Sequence, residues 1–201
     1  MEQPKTNPVE KIIPEAVIEE LLNLEPVTDQ DKADILVVAR GLKPAARVEL
    51  LFKEGAKDYT NINFANDVLS LDQVLTALNL PHNNTVTEDE KSGFTHAVFV
   101  IGKDGHALND LKQANATHDD EKIGAALGIP ESARDAKIKK QTMKESVLRL
   151  LVHNDTLLNF AWFDLSTDHW EEELIEIEKR ANTIKGISPA LYIKIANKKR
   201  K

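Results

Sequence analysis

Apolar residues recur along this chain at two spacings, one close to the helical repeat and one close to the strand repeat, and they divide it into short elements. Over residues 14–24, Ile18, Leu21 and Leu22 share one face. Pro14 suits the first position of that helix and Pro26 ends it. Thr28 followed by Asp31 has the form of a capped helix start. From 32 to 40, Ile35, Val38, Ala39 and Leu42 fall on one side, before Gly41 and Pro44 stop the segment. A strand over 35–38 is the competing assignment; the spacing predicts a helix. Residues 47–52 read as a strand and 53–66, polar and rich in Asn, as a loop. Ser70 is placed to cap a helix over 71–80 with Leu71, Val74, Leu75 and Leu78 on its face. The polar, acidic stretch 81–93 reads as a mobile loop.

The clearest strand is 96–101, whose near-continuous apolar character predicts burial on both faces. A Gly102-Lys103-Asp104-Gly105 turn and a helix over 107–114 follow it. That strand–turn–helix order suggests an α/β unit with its loop at the carboxyl end of the strand, where ligands bind in open sheets. Short helices are predicted over 119–128 and 131–140. The apolar run 147–152 fits either type, and 160–163 reads as extended and buried. Ser166 then caps a long helix over 167–185, on which Trp170, Leu174, Ile177, Ala181 and Ile184 recur at helical spacing. Gly186 ends it, and Ser188-Pro189 starts a last short helix.

These elements predict an α+β or α/β protein: one mixed domain with a small sheet covered by helices and a helical N-terminal lead-in. The divisions are 1–30 for leader and first helix, 31–197 for the mixed domain and 198–201 for a basic tail. The expected core contains Val98, Phe99, Val100, Leu127, Trp162, Leu174 and Ile177.

Composition narrows the chemistry. The 201 residues include no cysteine, which excludes disulfides, thiol nucleophiles, iron–sulfur clusters and Cys-zinc sites. No apolar run approaches the roughly 18 residues that span a bilayer, and residues 1–8 are polar, so a soluble cytoplasmic protein without membrane contact is expected. The formal net charge is −7, even with four cations in the last four residues. An acidic body weighs against nucleic acid, apart from a contact by the tail.

Three segments carry candidate chemistry. The 102–105 turn lacks both glycine-rich phosphate-loop patterns, so Lys103 reads as turn chemistry first and as a phosphate contact second. His118, Asp119 and Asp120 form the one compact His–carboxylate group. Adjacent side chains seldom meet at one metal, and the two acids suit a helix start, so capping is favoured and no metal is assigned. The 168–173 run of Asp, His, Trp and three Glu is likewise explained as the acidic first turns of a helix. No Gly-x-Ser-x-Gly elbow is present.

Residues 117–136 read Thr-His-Asp-Asp-Glu-Lys-Ile-Gly-Ala-Ala-Leu-Gly-Ile-Pro-Glu-Ser-Ala-Arg-Asp-Ala. This segment resembles a poorly characterised archaeal and bacterial family marked by an acidic helix start, then Gly-x-x-Leu-Gly-Tyr-Pro and usually a Cys-Cys pair. Gly124, Leu127, Gly128 and Pro130 match, and Ile129 replaces the aromatic residue. Ser132 and Ala133 stand where the cysteines would be, so any thiol or metal chemistry of that pair cannot operate here. Elements in similar order extend the resemblance over 95–190. It implies no activity. Read from its residues, the segment is a helix–corner–helix: Gly124 permits close approach, Gly128 takes the left-handed conformation that ends a helix, and Pro130 starts the next.

Two functions fit. The first is a non-enzymatic protein-binding or regulatory protein, acting on a protein partner or as a homodimer; the missing catalytic signatures and the amphipathic C-terminal helix favour it. The alternative is a small enzyme or ligand-binding domain that uses the 102–105 loop and the 117–134 corner, with His118, Asp119, Asp120, Glu131, Arg134 and Lys103 as polar groups. A cleft joining loop and corner would favour the alternative. The sequence names no cofactor and no substrate.

Overall fold

A computed structural model describes residues 12–53, 60–89, 93–152 and 155–198. The expected leader lies almost wholly outside these residues, as does the basic tail beyond Lys198. The chain order is α1 (Glu15–Asn23), α2 (Asp29–Ala39), β1 (Ala45–Lys53), α3 (Asn61–Ala77), β2 (His82–Asp89), β3 (Phe94–Gly102) and α4 (Gly105–Thr117). It continues through α5 (Asp120–Ala126), α6 (Glu131–Lys139), α7 (Glu145–Leu151), a 3₁₀ turn (Asp155–Phe160), α8 (Trp170–Ile187) and α9 (Pro189–Ala196).

The three strands form an antiparallel sheet in the order β1-β3-β2. Its core face carries Val48, Leu50 and Phe52 from β1 and Ala97, Phe99 and Ile101 from β3, all buried. They join one cluster with Ile35 and Leu36 of α2, Leu71, Val74 and Leu75 of α3, and Ile177, Ala181 and Ile184 of α8. Helix α4 packs on β3, and its buried Ala107, Leu111 and Ala114 lie outside that main cluster. The domain is thus α+β, a small sheet with a helical layer on its core side and α1 as the lead-in.

Helix starts are where polar sequence signals are most reliable, because unpaired N–H groups there need acceptors. Thr28 accepts from Asp31 N–H at 3.2 Å, Asp104 from Ala107 N–H at 2.9 Å, and Ser188 from Leu191 N–H at 3.2 Å. Ser166 works one step earlier than predicted: its hydroxyl accepts from His169 N–H at 3.0 Å and shapes the turn before α8.

Several expectations are corrected. Helix α3 begins at Asn61, ten residues before the predicted start, because Thr60 caps it and Phe64 is buried against Phe52, ring centroids 5.6 Å apart. Residues 82–89 are a strand, not a loop. As an edge strand β2 tolerates polar residues, and even its core-side His82 and Asn84 are satisfied, by Asp72 at 3.0 and 3.3 Å. Strand β3 is not buried on both faces, since Val98 and Val100 are half-buried. The sheet being wholly antiparallel, the 102–105 turn does not belong to a parallel α/β crossover. Phe160 closes a 3₁₀ turn, and Trp162 and Phe163 follow in bends, packed edge to face at 4.9 Å. Of the seven expected core residues, Phe99 and Ile177 are fully buried and Val98, Val100, Leu127, Trp162 and Leu174 are half-buried; Leu42, expected on the apolar side of the second helix, lies beyond its end and is exposed.

Pairing of β2 with β3 carries a direct test. In an antiparallel edge strand, alternate amides bond inward. Hydrogen exchange followed by NMR should show slow and fast amides alternating through 82–89; uniformly fast exchange there would contradict the strand.

Candidate functional site

The corner between α5 and α6 is built as the glycines require. Asp119 Oδ1 accepts from Glu121 and Lys122 N–H, both at 3.1 Å, and starts α5. Gly128 has φ +73° and its N–H reaches Ala125 O at 3.0 Å, turning the chain into Pro130. A Cβ at Gly128 would lie 2.6 Å from Pro44 Cδ. Gly128→Ala should therefore destabilise the fold by about 2 kcal/mol or more, combining the left-handed penalty with contact against a rigid ring. Thermal and urea unfolding check this. Gly124 makes room for a side chain and not for another backbone: Arg134 crosses it, and an added Cβ would sit 3.0 Å from Arg134 Cδ. Arg134 Nε donates to Ile129 O at 3.2 Å, so this arginine braces the corner.

A groove of about 610 Å³ opens between the corner and residues 161–164. Ile129, Ile138, Trp162 and Phe163 give it an apolar wall. Charges of both signs border it, Arg134 and Lys137 against Asp120, Glu121 and Asp164. Its lining contains no histidine, serine, threonine or tyrosine among the described residues.

Trp162 is held by buried charge. The Arg180 guanidinium lies 5.0 Å from its ring centroid and the Lys43 ammonium 5.8 Å. Both cations share Asp34: Arg180 Nη1 is 2.5 Å from Oδ1 and Lys43 Nζ is 2.9 Å from Oδ2. Arg180 Nη2 also donates to Gln30 Oε1 at 3.0 Å. Two buried cations therefore converge on one half-buried carboxylate. Burial pushes the Lys43 ammonium below the ordinary lysine range, and Asp34 opposes that shift without cancelling it. The Arg180 guanidinium is lowered in the same way, and burial raises the nearby Asp31 carboxyl. A fully buried carboxylate, Glu173, ties α8 to the corner: it accepts from Ser132 Oγ–H at 2.5 Å and Ser166 N–H at 2.7 Å.

The residues singled out from sequence are dispersed by this geometry. Asp120 and Arg134 border the groove. Asp119 is committed to its cap and to Lys122 at 3.0 Å, and those hydrogen bonds hold its carboxyl below the usual range. Glu131 is exposed in the first turn of α6 and is absent from the groove's lining. Lys103 is exposed, and its backbone N–H donates to Pro44 O at 2.8 Å. His118 closes α4 in the left-handed conformation and faces a separate hollow. The 102–105 turn and the corner both pack on Pro44, yet neither the groove nor two smaller hollows beside α4 has a lining residue from 102–105. Asp104, which caps α4, occupies the helix start that a phosphate would need. Among the described residues no three His, Asp or Glu side chains gather as metal ligands, and no helix is long and apolar enough to cross a membrane.

Sequence inspection missed Trp162, Phe163, Asp164, Lys137 and Ile138 as groove residues, and Asp34, Lys43 and Arg180 behind them. The one available signal was Arg180, a cation beside the apolar stripe of α8. Comparison of the chain with family models, with curated proteins and with solved structures finds no match.

Proposed function

We propose that this protein is a non-enzymatic binding protein of a regulatory kind, and that the groove between the α5–α6 corner and residues 161–164 receives its ligand. The observation that carries this is the groove's composition. Its volume falls within the range of small-ligand sites, and an apolar wall with a few polar groups around it is the usual form of such sites. The occupant that fits is amphipathic: an apolar body against Trp162, Phe163 and Ile138, with polar groups meeting Arg134 and Lys137 on one side and Asp120, Glu121 and Asp164 on the other. A short peptide of a partner protein or a small metabolite has that character. The lining lacks the hydroxyl and imidazole groups that most often act as nucleophile or proton carrier, which favours binding over catalysis. Kinship with the family that 117–136 resembles is part of the same proposal, with the corner as shared architecture.

A fragment and short-peptide library titrated by two-dimensional NMR tests this. The expected result is shifts in the Trp162 indole N–H and in the amides of Ala133, Lys137 and Ile138. Lys137→Gln and Ile138→Gln, both at exposed positions, should weaken that binding without lowering the melting temperature. Hits that leave those resonances unmoved, or no hits, would refute the site.

A further inference from the structure

The face of the sheet opposite the core holds a second hollow, of about 360 Å³, beneath α4. Val98 and Val100 of β3 and Ile123 of α5 supply its apolar floor. Arg47 on β1, Lys112 on α4 and His118 at the end of α4 stand around it, with Asn83, Thr85 and Asn115 between them. Arg47, Val100 and Asn83 form one row across the three strands, and the next row on that face is Glu49, Val98 and Thr85.

The charge here runs against the rest of the molecule. The chain carries −7 overall, yet the lining of this hollow has two permanent cations, a histidine and no carboxylate. Glu49 on the same face is outside the lining and is taken by His96 at 2.8 Å. Two acids near α4 are likewise engaged, Asp110 with His106 at 2.8 Å and Asp119 with Lys122 at 3.0 Å, and Asp120 borders the groove at the corner instead. Arg47 and Lys112 are exposed and take no carboxylate partner among the described residues. His118 reaches the site at φ +50°, a conformation that costs a non-glycine residue free energy and recurs at ligand sites.

We propose that this hollow is a binding site for a small phosphate monoester. The guanidinium of Arg47 and the ammonium of Lys112 meet the phosphate with charge-assisted hydrogen bonds, and the Asn, Thr and His groups complete its shell. The Val98, Val100 and Ile123 floor takes the body that carries the phosphate, and the volume suits a molecule the size of a nucleoside monophosphate. The site shares no lining residue with the groove at the corner, so it stands or falls separately.

The test is a calorimetric and NMR titration of the full chain with adenosine and uridine 5′-monophosphates, with the two nucleosides as uncharged controls. Expected are shifts at Arg47, Val98, Val100 and His118. The nucleosides should bind about tenfold or more weaker, the loss of one strong charge-assisted contact. Affinity for the monophosphates should fall with added salt. Arg47→Gln and Lys112→Gln should each weaken monophosphate binding several-fold and leave the melting temperature of the unliganded protein unchanged. His118→Asn, which keeps a residue tolerant of the left-handed conformation, should weaken it less. Equal binding of nucleosides and nucleotides, wild-type affinity in both charge variants, or no shift at these residues would overturn the proposal.

Discussion

Asp34→Asn will cost this protein on the order of 3–5 kcal/mol, because it leaves Arg180 and Lys43 buried without their counter-ion. Arg180 is 2 % exposed and Lys43 is 4 %, so water cannot replace the carboxylate. The size of the loss reflects the stranded cations and not the worth of the pair. Lys43→Met should behave in the opposite way. It removes the second cation from a carboxylate that Arg180 already holds and fills the space with an apolar stem, so stability should be unchanged or rise by about 1 kcal/mol. The pH dependence separates the two effects. Burial sets the Lys43 pKa in the folded chain below its unfolded value. The folded chain therefore binds fewer protons between those two values, and stability rises with pH across that window, which closes near the unfolded lysine value of about 10.4. Lys43→Met should flatten that part of the profile relative to wild type. Urea unfolding from pH 7 to 10.5 on both variants measures these quantities. A mild loss in Asp34→Asn would show that the cluster admits water.

The same cluster shows where sequence reasoning stopped. Periodicity and capping located α1, α2, β1, β3, α5, α6, α8 and α9 to within a few residues, since each has its own apolar face or its own cap, and both signals are local. Strand β2 was not legible. Its side chains read His-Asn-Asn-Thr-Val-Thr-Glu-Asp, and only pairing with β3 and the contact of His82 with Asp72 on the preceding helix make that polar run a strand. Most of the groove was invisible for a related reason. Its corner half carries a recognisable glycine pattern, but Trp162 and Phe163 arrive from a segment with no repeat; Trp162 packs against Lys43, far away in the chain, and Arg180 of α8, and Phe163 packs on Trp162. His118 and Asp119 are neighbours in sequence yet serve different ends: the left-handed residue turns its ring toward the sheet, and the next residue caps α5.

Phe99→Ala should cost on the order of 3–5 kcal/mol, the range for removing a fully buried aromatic ring. Phe99 sits at the middle of the central strand, opposite Val48 on one side and Asn84 on the other, with no measurable exposure. Its neighbours on that face, Ala97 and Ile101, are also fully buried. Ala97 is already small, so the ring fills space that no adjacent β3 side chain can reclaim. The strand is bonded on both edges, which prevents it from moving inward to close the cavity. Val98→Ala provides the internal control. Val98 points to the other face and is half-buried under α4, so its truncation should cost roughly 0.5–1 kcal/mol. The contrast between adjacent residues follows from strand alternation and tests the register itself, because a one-residue slip would exchange the two costs. Urea denaturation of both variants gives the comparison. Similar losses at 98 and 99 would mean that α4 covers its face as completely as α2 and α3 cover the core, and would leave no hollow there for a ligand.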